Sequence, residues 1–203
     1  MPKSFKMSKK AKTVFPIHPL LGERWSPRAF RDESIENEKL MRIFEATRWS
    51  PSAFNEQPWR FIIGVKNSGN TYGKILSGLV DANKVWASGA PVLLVCLAKK
   101  AYAYNKKDNF HFLYDAGQSV AHLTFQAMHE DVYVHQMAGF LSEKIAVEFK
   151  VPDEYIVATV IAMGYLGNPE QLPEELQKRE LAERDRKPFN EILFMDEFGK
   201  SFV

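Results

Sequence analysis

Arg48-Trp49-Ser50-Pro51-Ser52-Ala53-Phe54-Asn55-Glu56-Gln57-Pro58-Trp59-Arg60-Phe61 decides how this chain is read. The apolar spacing of Leu40, Ile43, Phe44 and Thr47 before it predicts an amphipathic helix. Pro51 ends that helix, because the residue before a proline is pushed out of the α region. Ser52, Ala53, Asn55 and Gln57 then form a loop, and Pro58 breaks the backbone again before a strand starts at Trp59 and Phe61. Two amides and a hydroxyl held between a helix and a strand can present donors and acceptors to the edge of a planar heterocycle. An ordinary helix-to-strand turn would use the same residue types.

Composition narrows the field around that loop. The chain has 203 residues, enough for one domain with a real core. A hydrophobic content of 45% and an aromatic content of 13% fit a globular protein. The formal charge of +2 gives no case for a nucleic-acid or membrane surface. Cys96 stands alone, so there is no intrachain disulfide framework and no thiolate set for zinc. No apolar run nears the ~20 residues of a membrane span. Five lysines in the first twelve residues, with no apolar core behind them, read as a mobile basic arm over 1–14 of a cytoplasmic protein. Residues 15–203 read as one domain, with an exposed excursion at about 168–185 and a C-terminal tail.

Arg24-Trp25-Ser26-Pro27-Arg28 places two guanidinium groups and a hydroxyl two residues apart. In extended backbone all three point to one side, where they could clamp an anion. Two solvated arginines are the plainer alternative. Ser34 is the expected N-cap of the following helix. Asn83 and Lys84 are expected in a loop before Ala90–Leu97, an apolar run that suits a strand buried on both faces. Residues 112–130 carry the longest helical pattern, and small residues such as Gly117 and Ala121 would admit another helix. His122 and His129 are seven apart with no third ligand, which favours ordinary histidines over a metal site. Residues 131–135 are expected as a strand, 136–140 as a loop, and Ser142 as the cap of a helix. Tyr155–Gly167 reads as a central strand.

Pro51, Ser52, Asn55, Gln57, Pro58, Trp59 and Phe61 resemble the signature loop of the FMN-dependent nitroreductase family. Asp115–Ser119 and Gly164-Tyr165-Leu166-Gly167 resemble two further family segments in the right order. The resemblance implies an α+β fold, a three-layer α-β-α arrangement around a mostly antiparallel sheet, assembled as a homodimer. It implies FMN with its phosphate on Arg24, Ser26, Arg28, Arg186 and Lys187. The flavin ring would meet Pro51, Ser52, Ala53, Asn55 and Gln57, with Asn83 and Lys84 near its pyrimidine edge. A backbone N–H of Ala138 or Gly139 would face N5. The family's Leu-Gly-Leu-Gly is replaced here by Glu130-Asp131-Val132-Tyr133, a departure that bears on the pocket and its substrate.

The function expected is therefore reduction of nitroaromatic, quinone or similar acceptors by NAD(P)H, with small-molecule partners only. The alternatives are a flavin-binding storage or sensing protein, and a flavin-consuming or reductive specialist on the same fold.

Overall fold

A computed structural model describes residues 9–203. Residues 1–8 of the expected basic arm lie outside the described residues. Its continuation is held at two points: Lys9 Nζ donates to the Glu180 carbonyl at 2.6 Å, and Lys12 pairs with Glu183 at 2.8 Å.

Four strands form one open antiparallel sheet: β1 (Trp59–Val65), β2 (Val92–Lys99), β3 (Tyr133–Met137) and β4 (Tyr155–Gly164), in the order β1-β2-β4-β3. The apolar run of β2 is buried along nearly its whole length, as a two-sided strand requires. Its side chains alternate between two cores. Leu93, Val95 and Leu97 pack on one face, while Val92, Leu94, Cys96 and Ala98 pack on the other. A bulge between Cys96 and Leu97 skips Ala158 on β4. Burial pushes the Cys96 thiol up to about 12.

Helices cover both faces. One core holds α3 (Thr71–Ser77), α4 (Asp81–Ala87) and α6 (Ser142–Glu148); the other holds α2 (Asn37–Arg48) and α5 (Phe112–His129). On α5 the buried stripe runs through Ala116, Val120, Leu123 and Ala127, at the spacing of one helical face. A short α1 (Pro19–Glu23) precedes the Arg24–Arg28 segment, and α7 (Glu174–Leu181) follows β4. No helix among the described residues is long and apolar enough to cross a membrane.

Several local expectations are corrected. Glu36, not Ser34, is the N-cap of α2, and Leu141 precedes α6 in place of a Ser142 cap. Neither makes a side-chain cap bond, so packing rather than capping sets these ends. Asn83 and Lys84 lie inside α4 and not in a loop. β3 starts at Tyr133 and takes in Gln136 and Met137, which were expected in the loop, because Met137 keeps its pairing with Val160.

Gly64 shows how tightly the layers meet. A Cβ there would lie 2.7 Å from Tyr72 Cα and 2.8 Å from Tyr72 N, both rigid backbone atoms. Gly64→Ala should therefore lift α3 from the sheet and cost about 1–3 kcal/mol in urea unfolding. A change within experimental error would show that the two layers can slide apart freely.

Candidate active site

The Arg24–Arg28 segment is extended, and its burial alternates: Trp25 and Pro27 are buried, while Arg24, Ser26 and Arg28 are half-buried on the other side. Those three side chains line a cavity of about 250 Å³. Lys9, Arg179, Arg184 and Arg186 line it too. The structure thus brings Arg24, Ser26, Arg28 and Arg186 together. It does not bring Lys187, which is exposed and pairs with Glu191 at 3.5 Å.

The cations crowd one another. Burial, then the neighbouring Arg184 and Arg186, pushes Arg24 below the usual arginine value. Burial and then Arg186 act on Arg184 in the same direction. Lys9 is lowered mainly by burial; Glu180 opposes that shift, and Arg184 and Arg28 add to it. Arg184 is anchored through the carbonyls of Arg24 and Gly22, and Arg24 Nη1 donates to Ser26 Oγ at 3.3 Å. Such a cluster gains most from an oxyanion, whose charge relieves the repulsion and whose oxygens accept the donors.

A chain of contacts runs from this segment to the loop after β3. Pro27 O accepts from His135 Nδ1 at 2.9 Å, which fixes the proton on that nitrogen. Burial holds the His135 pKa down at about 4, so the ring is neutral at ordinary pH. The ring packs on Trp86 with centroids 4.3 Å apart. Trp86 Nε1 donates to Asn83 Oδ1 at 3.3 Å, and Asn83 Nδ2 donates to Gly139 O at 3.0 Å. Asn83 therefore fastens the Ala138–Gly139 turn. Gly139 is small for a reason other than access alone: a Cβ would meet Asn83 Nδ2 at 2.6 Å and Val80 Cγ2 at 2.9 Å. Lys84 pairs with Asp81 at 2.8 Å.

The signature loop sits elsewhere. Phe54, Asn55 and Gln57 have φ of 53°, 55° and 50°, a left-handed geometry that costs non-glycine residues energy and marks functional loops. Its own bonds hold it: Gln57 N donates to Ser52 Oγ at 3.0 Å, and Ala53 N donates to the buried Asp115 Oδ2 at 3.1 Å. Pro51, Asn55 and Gln57 are exposed. The loop enters the sheet at Trp59, level with Ala98 and Ile156, whereas Trp25 packs on Tyr133, level with Gly164. These are opposite corners, about 14 Å apart across the strands and about 25 Å along them. Within one chain the loop and the cationic cavity do not meet.

Sequence reasoning missed Lys9, Arg179, Arg184 and Glu180. The three basic residues lie in stretches whose composition signals exposure, and nothing local sets Glu180 apart from its acidic neighbours. A larger cavity of about 560 Å³, lined by Ala46, Ala121, His122, Phe125 and His129 among others, carries no convergent charge. No group of metal-ligating side chains occurs among the described residues.

The nitroreductase family model matches residues 21–165. A solved oxidoreductase containing FMN is 30% identical, with a TM-score of 0.89, covering 97% of this chain and 100% of its own. A nitroreductase family protein from Clostridium difficile 630 is 22% identical, with a TM-score of 0.68 over 88% of this chain and 96% of its own. An uncharacterized 15.4 kDa protein from Mycolicibacterium smegmatis is 29% identical over 147 residues, 69% of this chain and 97% of that protein.

The role of Asn83 is testable on stability alone. Asn83→Asp places a carboxylate oxygen opposite the Gly139 carbonyl, whereas Asn83→Ala only deletes the bond. Both should destabilise, Ala by about 1–2 kcal/mol and Asp by more, in urea titrations at pH 7. If the aspartate variant proves the more stable of the two, Asn83 does not hold the turn.

Proposed function

Because the chain belongs to the nitroreductase family, we propose that it is an FMN-dependent oxidoreductase that draws its electrons from NAD(P)H. The observation that carries the proposal is the cationic cavity around Arg24, Ser26 and Arg28, whose crowded donors suit a phosphate dianion. The FMN content of the relative with a TM-score of 0.89 supports it. Bound FMN would supply reversible hydride transfer at N5. The protein's own work is to anchor, orient and exclude. Arg24, Ser26, Arg28 and Arg186 would hold the phosphate, and Lys9, Arg179 and Arg184 would add to the field. Ala138 and Gly139, fixed through Asn83, would lie along the ring near N5. Asn83 would act at least through that turn.

The residues of the signature loop fit the same flavin only if a second copy supplies them, since the loop lies at the far corner of the sheet. We therefore read the protein as a homodimer with Pro51, Ser52, Asn55 and Gln57 crossing to the partner's cofactor. Exposed apolar side chains support this. The outer face of α5 presents Leu113 at 48% exposure and Tyr114 at 68%, beside the uncovered Gly117 and Ala121. The tail after residue 191 exposes Phe198 at 95% and Phe202 at 59%. Nitroaromatics or quinones, planar and electron-poor, are the acceptor class suited to an open flavin face.

Purified protein reconstituted with FMN should lose its yellow colour on adding NADH or NADPH and regain it with a nitroaromatic or a quinone. Donor and acceptor should use one face in turn, giving parallel double-reciprocal lines. A colour that NAD(P)H does not bleach would favour a flavin store or sensor. Arg28→Ala should weaken FMN binding by about 1.5–3 kcal/mol, read from flavin fluorescence. Unchanged affinity would remove Arg28 from the phosphate site. Light scattering should give twice the chain mass at micromolar concentration; a monomer that retains FMN would refute the shared site.

A further inference from the structure

The Arg24–Arg28 segment has no regular secondary structure to hold it, yet its side chains must converge. His135 and Arg184 hold its carbonyls at Pro27 and Arg24, and its end is fastened by a carboxylate 152 residues away in sequence. Glu180, in α7, is completely buried. One of its oxygens accepts from Arg28 N at 2.8 Å and from Ala29 N at 3.1 Å; the other accepts from Arg28 N at 3.0 Å. The Arg28 guanidinium stands 3.8 Å away, and the Glu180 carbonyl accepts from Lys9 Nζ at 2.6 Å. Burying a carboxylate is costly, and here the cost is offset by charge-assisted bonds to backbone N–H groups. Those bonds close on Arg28, which ends the Arg-x-Ser-x-Arg segment, and on Ala29 just after it. The same helix and the stretch after it carry Arg179, Arg184 and Arg186 into the cavity. Glu180 also lies beyond residues 21–165, the part of the chain that the family model matches.

We propose that Glu180 is a positioning residue of the phosphate site: it fixes the backbone at Arg28 and Ala29 so that both walls of the cationic cavity face one phosphate. The inference rests on the FMN reading above. It also makes a prediction opposite in sign to simple electrostatics. Glu180 is a negative charge beside an anion site, so removing that charge would tighten FMN if charge alone mattered. If position matters, the loss of an ideal double acceptor weakens FMN.

The test compares FMN with riboflavin, which has the same ring and no phosphate, by fluorescence titration of apoprotein. Wild type should bind FMN well above riboflavin. Glu180→Gln should raise the FMN Kd about tenfold and leave the riboflavin Kd unchanged, the tenfold being the loss of one charge-assisted bond. A general loosening of the fold would weaken both ligands, tighter FMN binding would indicate charge alone, and unchanged FMN binding would show that Glu180 does not position the site; each of these results overturns the proposal. Should the variant not fold, amide exchange in wild-type apoprotein decides: protected Arg28 and Ala29 amides support a clamp formed before the ligand arrives, and free exchange overturns it. Wild type that binds both flavins equally would overturn the phosphate reading itself, and this inference with it.

Discussion

The pairing of β2 with β4 is the constraint from which the rest of the structure follows. Both strands are buried on both faces, so neither can sit at an edge and both sides of the sheet must be covered. That demand places α2 and α5 on one face and α3, α4 and α6 on the other. It also sends β1 and β3 to opposite edges. The loop before β1 and the turn after β3 are therefore separated by the core itself. A cofactor that needs both has to find the second one on another copy of the chain. In this sense the dimeric reading begins in the apolar run Val92–Ala98, far from any polar residue of the site.

How much of this was legible in the sequence varied with the range of the interaction. The two-sided strand, the long α5 and the punctuation by Pro51 and Pro58 all follow from local rules, and the structure agrees with them. The alternation of Arg24, Ser26 and Arg28 was equally local, since an extended backbone sends every second side chain the same way. The sequence alone places Asn83 in a loop before the buried strand. Only the burial of Trp86 and Ala87 on a helical face makes α4 the better solution. Arg184 and Glu180 could not be found by any local rule. Their roles depend on a contact spanning more than 150 residues, and composition around them signals a solvated stretch.

The site's polar groups are held by partners of different kinds, and that division has meaning. On the cationic side, guanidinium groups are tied to backbone carbonyls, so they are fixed in place while their charge remains available. On the Gly139 side, neutral groups do the fastening: an amide, an indole and an uncharged imidazole. On the proposed FMN reading, the charged side would face the phosphate and the neutral side the flavin ring.

Cys96 lies between the sheet and the α2–α5 layer, with no exposure and its thiol pushed up to about 12. A thiolate is what oxidants and alkylating reagents attack, and at neutral pH this side chain offers almost none. The native chain is therefore already a silent background for chemical labelling. A cysteine introduced at Phe198 in the tail, or at Asn55 in the loop, would be the only reactive thiol on the surface. Spin labels or fluorophores placed there could report the approach of two copies without any prior removal of native thiols.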